Sequence, residues 1–131
     1  MSQENVEVVR GLIAAINQTG EVVLRPLHPD VKWHLDSDHP DQTVLDGHDD
    51  VAAYFREWRD GFDRVRMDAS AYIDRGEYVV MPFDAYGRLK GSAAEVPLAE
   101  TWVFRVREGL IVEIREYLSL DEALKAVGRE E

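Results

Sequence analysis

The sequence predicts an α+β fold, with helices segregated onto one face of a curved antiparallel sheet. Three observations carry that reading. Helical spacing of apolar residues occupies two stretches before Gly61 and a short one at the C-terminus. Between Val65 and Ser119 the pattern changes to alternating runs rich in β-branched and aromatic residues, broken by turn formers. Within that region Glu95–Ser119 reads as one long hairpin, Val96–Arg107 and Leu110–Ser119, joined by the two-residue turn Glu108-Gly109.

The elements follow in order. Ser2 can cap a helix over about Gln3–Gln18, with Glu4 and Glu7 near its positive end and Val6, Val9, Leu12, Ile13 and Ile16 as its apolar stripe. Thr19-Gly20 ends it. Glu21–Leu27 reads as a short helical turn, kept short by Pro26 and Pro29. Asp30–Asp36 alternates as a half-buried strand with Val31, Trp33 and Leu35 on one side. Ser37–Gly47 is polar and turn-forming, a loop over the mouth of whatever lies beneath. Asp46 is the expected cap of a helix over about His48–Asp60, whose Val51, Tyr54, Phe55, Trp58 and Phe62 make a broad aromatic stripe. Val65–Asp74 and Tyr78–Leu89 are strands around Arg75-Gly76-Glu77, and Pro82 requires an edge or a bulge in the second. Ser119-Leu120-Asp121-Glu122 is a capping box that launches a terminal helix with Leu120, Ala123, Leu124 and Val127 inward.

A chain of 131 residues fits a single domain, 1–131. Hydrophobic residues make up 45% and charged residues 31%, a globular composition, and no apolar run approaches the roughly 18 residues a membrane span needs. The acidic N-terminus does not resemble a signal peptide, and an intracellular, cytoplasmic protein is expected. Without cysteine, disulfides, thiolate metal sites and a cysteine nucleophile are excluded. The net charge of −11, from 26 acidic against 15 basic residues, repels phosphate backbones and argues against nucleic acid as a partner. A neutral or cationic small molecule suits that field better than a polyanion.

The hairpin also nominates a site. If Arg107 pairs with Leu110 and the register runs unbroken, Trp102 faces Arg115 and diagonally neighbours Glu100 and Tyr117, which face one another. A carboxylate, an indole, a guanidinium and a phenol would then gather on one half-buried face. Glu100 with Arg115, helped by Tyr117 or His34, is the candidate acid/base set; the simpler alternative is a structural ion pair. Trp33, Tyr54, Trp58 and Phe83 are the candidate aromatic lining, with the same four hairpin residues completing the ligand-binding set. The other face, with Thr101, Val103, Ile114 and Leu118, is apolar enough to suggest burial in a homodimer through the outer face of the sheet. His34, Asp36, Asp38, His39, Asp41, Asp46 and His48 are suggestive of metal ligands, but their spacing matches no calcium loop or HExxH helix, so no metal is expected. No Gly-rich phosphate loop or GxSxG elbow is present, and no cofactor is expected.

The segments EVVRGLIAAINQTGE, LHPDVKWHLD, GHDDVAAYFREW and ETWVFRVREGLIVEIREY, in that order and spacing, resemble the SnoaL-like branch of the NTF2-like superfamily from Asn5 to Ser119. The resemblance implies a cone, a curved sheet wrapped around the N-terminal and central helices with an internal pocket, commonly in a homodimer. It also implies a choice of functions, from steroid isomerases, polyketide cyclases and hydrolases to pocket proteins. The isomerase branch is rejected: its base, oxyanion tyrosine and protonated aspartate fall on Leu35, Leu12 and Trp102, which supply neither base nor donor. The expected function is binding of a small, largely apolar molecule, with an acid/base enzyme of the cyclase, hydrolase or isomerase type as the alternative.

Overall fold

The computed structural model describes residues 2–35, 44–89, 91 and 95–130. In chain order the elements are α1 Ser2–Thr19, β1 Leu27–His34, β2 Val44–Asp46, α2 Gly47–Asp60, β3 Phe62–Ala69, β4 Ile73–Arg75, β5 Tyr78–Leu89, β6 Glu95–Arg107, β7 Leu110–Tyr117 and α3 Leu120–Glu130. The sheet runs β2-β1-β7-β6-β5-β3, with β4 also paired to β5. It is mixed, because β1 lies parallel to β7 while every other pairing is antiparallel.

The stripe of α1 is buried as its spacing requires: Val6, Val9, Leu12, Ile13 and Ile16 join one core with Val51 of α2 and the inner face of the sheet. Asn17 fastens α1 to β3, its amide donating to the Met67 carbonyl and accepting from the Met67 N–H, both at 2.8 Å. The left-handed Gly20 (φ 73°) then turns the chain, its N–H donating to Ile16 O at 2.7 Å. Residues 21–26 are bends and turns, not the expected short helix. Pro26 forbids the ladder a helix would need, and Val22 and Leu24 instead pack on the core from an open chain.

Several other expectations change. Val44–Asp46, assigned to a loop, is an edge strand paired with 32–34 of β1; Asp36–Thr43 lie outside the described residues. Asp46 does not cap α2 with its carboxylate, which pairs with Lys32 Nζ at 2.8 Å; its N–H instead donates to Asp50 Oδ2 at 2.9 Å. Phe62, placed in the α2 stripe, begins β3. The proline in β5 is accommodated without making an edge: β3 leaves the ladder at Ala69↔Phe83 and β4 joins at Ile73↔Val80, so Pro82 stands at the changeover. Its carbonyl accepts from Ser70 N–H at 2.9 Å, and the missing N–H falls where no strand partner is required.

The helices do not all share a face. The capping box forms as expected, Ser119 Oγ accepting from Glu122 N–H at 3.2 Å, and directs α3 onto the outer side. There Ala123 and Val127 bury Tyr78, Val80 and Val103, with Tyr117, Leu120 and Leu124 packed around them. This corrects the reasoning for a dimer patch. Val103 is covered by the chain's own C-terminal helix, Thr101 is buried, Ile114 belongs to the inner core, and of the four only Leu118 is an exposed hydrophobic.

Candidate functional site

The inner face is decided by one irregularity in the hairpin. Arg107 pairs with Leu110 as expected, and Val106 with Ile111, but the next pair is Arg105↔Glu113. Val112 is therefore an extra residue on β7, a bulge that shifts every later partner by one and reverses which side chains face inward. Trp102 stands opposite Glu116, not Arg115, and Thr101 opposite Tyr117.

Inside, two indoles each hold a glutamate. Trp33 Nε1 donates to Glu116 Oε2 at 2.8 Å, and Trp102 Nε1 donates to Glu100 Oε1 at 3.0 Å. The rings form a continuous cluster. Trp33 lies 4.7 Å from Phe55 and 5.1 Å, edge to face, from Trp102, which in turn meets Phe83 at 4.9 Å; Tyr54 meets Phe55 at 5.0 Å. Offset and edge-to-face contacts of this kind add roughly 0.5–1.5 kcal/mol each beyond the area they bury.

Exposure grades along this face. Trp33, Met81, Phe104 and Ile114 are wholly buried, whereas Trp102 retains 7% and Glu100 9%, and Leu98, next in the same inward row of β6, reaches 40%. Phe83 pairs with Glu100 and Ala85 with Leu98, so the accessible end of the inner face is where β5 and β6 run past Glu100. Leu12, Leu35 and Trp102 are all buried here and present no base or phenol.

The structure thus brings Glu100, Trp102, Trp33, Phe83 and Tyr54 to the inner layer, and separates Arg115 and Tyr117 from them. Arg115 lies on the outer face, its Nε 3.3 Å from Glu113 Oε1. His34 shares that face, with Nε2 3.1 Å from Glu113 Oε2. Tyr117 packs beside α3. The side chain of Trp58 falls outside the described residues. Glu116 was missed by the sequence reading. The available signal was Ile111 and Ile114 three residues apart in a strand, which reach one core only if a residue bulges between them.

Charges on the outer side pair with one another. Glu77 accepts from Arg105 Nε at 2.8 Å and Arg107 Nε at 2.6 Å, and the Arg107 hydrogen bond leads in holding its carboxyl below the usual range. On the helical side, burial pushes the Tyr72 phenol up against the opposing pull of Arg10, whose guanidinium lies 4.6 Å over the ring. Among the described residues no group of three or more His, Asp or Glu is arranged to hold a metal ion, and no helix is long and apolar enough to cross a membrane. Of the histidines suggestive of metal ligands, His34 bonds Glu113 and His48 Nε2 donates to the Leu27 carbonyl at 2.8 Å.

A curved mixed sheet holding an aromatic and carboxylate cluster beneath two helices defines an α+β protein of the NTF2-like kind. The chain belongs to the SnoaL-like domain family, whose model matches residues 9–114. Solved structures agree on the fold. An NTF2-like protein of unknown function from Burkholderia pseudomallei K96243 superposes with a TM-score of 0.76 at 22% identity, covering 95% of this chain and 97% of that one. TerC, crystallised with polyporic acid, gives 0.75 at 17% identity over 95% and 98%. A Jannaschia sp. CCS1 protein named as a candidate SnoaL-like polyketide cyclase gives 0.74 at 19% identity over 96% and 92%. No curated protein matches the chain.

Proposed function

We propose that this chain, as one SnoaL-like domain, binds a small, largely apolar molecule on the inner face of its sheet, against Trp102, Phe83 and Glu100. The observation that carries the reading is the gradient of exposure along the inward row of β6, from wholly buried Phe104 to half-open Leu98, with an indole-held carboxylate between them. Apolar walls with a few placed polar groups are the usual chemistry of a ligand site. TerC, of like fold, was crystallised with polyporic acid, which supports the same reading. The test is titration with 2-naphthol, followed by the indole N–H signals in 15N NMR. A saturable shift of the Trp102 signal is expected, lost in Phe83→Trp, which fills the space; no saturable shift up to the solubility limit defeats the reading.

A second reading, an acid/base enzyme of the cyclase, hydrolase or isomerase type, is favoured by one feature. Glu100 and Glu116 share the inner face and each is oriented by an indole N–H, as a general base requires. Arg115 has no part in it, because the bulge turns it outward. Ketosteroid isomerase chemistry is excluded from this reading by Leu12, Leu35 and Trp102. In D2O the protein should accelerate exchange of the α-protons of 2-tetralone, and Glu100→Gln should cut that acceleration by about a hundredfold or more. Exchange at the buffer rate removes the enzyme reading and leaves the binding reading intact.

A homodimer through the outer face belongs to the same proposal, supported by the family resemblance and no longer by an apolar patch. Light scattering should give twice the 15.0 kDa chain mass. An intracellular setting is supported by the cysteine-free composition.

A further inference from the structure

A cavity of about 230 Å³ lies away from the proposed inner site and is lined by Glu21, Val22, Leu24, Ala52, Phe55 and Arg56. None of Glu100, Trp102 and Phe83 reaches it. Its shape follows from local sequence. After Gly20 reverses the chain, the open connection places Val22 and Leu24 against the core while Glu21 stays exposed. On α2, Ala52, Phe55 and Arg56 are three and four residues apart and so share one helical face. The result is an apolar floor between a carboxylate from the connection and a guanidinium from the helix. Phe55 is the wall it shares with the core, since the same ring meets Trp33 at 4.7 Å.

The chemistry of that lining selects a ligand. The volume is below the roughly 300–1,000 Å³ of drug-sized sites, which suits a molecule of about a dozen heavy atoms. A dianion would be opposed by Glu21 and by the net charge of −11, and a simple cation would meet Arg56. A molecule with one charge of each sign satisfies both rim groups and carries no net charge into the field. Arg56 makes no ion pair with any described residue, and its planar fork matches a carboxylate bidentately. A carboxylate such as Glu21 has about four acceptor positions, so contacts it already makes leave room for an ammonium group. We propose that this cavity is a binding site for an α-amino acid with an apolar side chain, its carboxylate on Arg56, its ammonium on Glu21 and its side chain on Val22, Leu24, Ala52 and Phe55.

The test is an NMR titration of the whole chain with L-phenylalanine, 3-phenylpropionate and phenethylamine. L-Phenylalanine should give saturable shifts at the amides of Val22, Leu24 and Ala52, and each one-charge analogue should bind at least about tenfold more weakly. Arg56→Gln should weaken L-phenylalanine by about tenfold and leave phenethylamine unaffected, and Glu21→Gln should weaken phenethylamine and leave 3-phenylpropionate unaffected. Ala52→Leu, which fills the cavity from the half-buried face of α2, should abolish all three. No saturable shift by about 10 mM overturns the site. Equal affinities for the three ligands overturn the ligand class. Shifts confined to the Trp102 indole place the ligand at the inner site and also overturn the proposal, without bearing on whether that inner site binds 2-naphthol.

Discussion

The two faces of the β6–β7 hairpin solve the same problem in opposite ways. Both carry glutamates beside bulky side chains. Inside, Glu100 and Glu116 are held by neutral indole donors in a wall of rings; outside, Glu113 and Glu77 are held by Arg115, His34, Arg105 and Arg107. An indole N–H fixes a carboxylate in direction and itself supplies no charge. The guanidinium partners outside offset the charge, so the outer pairs tie strands together. That difference supports the proposed ligand site on the inner face and a structural role for the outer pairs. It also predicts unequal penalties for disturbing them.

The largest effect should come from the centre of the inner face. Trp33 is wholly buried and touches Phe55, Trp102 and Glu116, so Trp33→Ala leaves a cavity and removes the indole donor to Glu116. A loss of about 3–5 kcal/mol in urea unfolding is expected. A loss below about 1 kcal/mol would mean that the ring cluster is not the core of the domain.

Deleting Val112 tests the comparison itself. Without the extra residue Glu113 follows Ile111 directly, so Arg105↔Glu113, Phe104↔Ile114 and Trp102↔Glu116 still pair, and the alternation runs unbroken with Ile114 and Glu116 inward. Only the local kink and twist of the bulge are lost, so urea unfolding should show a loss of about 1–3 kcal/mol. A loss above that, of the size expected when charges are buried without their partners, would mean that Arg115 and Tyr117 had turned inward, and the distinction between the faces would fail.

That register is also where sequence reasoning stopped. The α1 stripe, the span of β5, the Glu108-Gly109 turn and the Ser119 capping box were legible because each is specified by residues within a few positions of one another. Glu108 and Gly109 do adopt the left-handed conformations a tight hairpin demands, with φ of 51° and 79°. The bulge was not legible, since Leu110, Ile111, Val112 and Ile114 fit either face until α1 and β1 supply the core that selects Ile111 and Ile114. The parallel pairing of β1 with β7 and the docking of α3 on the outer face depend on contacts across most of the chain. Glu100 and Trp102, on β6, therefore face inward as expected, while on β7 Glu116 stands opposite Trp102 where Arg115 was expected.

Intermediate effects should separate the faces directly. Glu116→Ala leaves the Trp33 N–H buried without its acceptor and should cost about 1–3 kcal/mol. Glu113→Ala removes an ion pair whose partners, Arg115 and His34, are about one-third exposed and can be hydrated in its place, so less than about 1 kcal/mol should be lost. Equal costs in thermal or urea unfolding would remove the argument that the inner carboxylates are held differently.

The smallest effect is a pH dependence confined to the outer face. The Arg107 and Arg105 contacts hold the Glu77 carboxyl below its ordinary value of 4.5, so folding favours its deprotonated form. The sign follows from linkage: the contribution is present in full above 4.5 and is lost as pH falls through the lower, folded value. Because the Glu77 side chain is 36% exposed, screening keeps this contribution below about 1 kcal/mol. Glu77→Gln should therefore be slightly less stable than the parent chain at neutral pH, and the gap should close on acidification from about pH 6 to about pH 3. A gap that widened with acid would place the depressed carboxyl elsewhere and leave the Glu77 bridge with no share in holding β5 to β6.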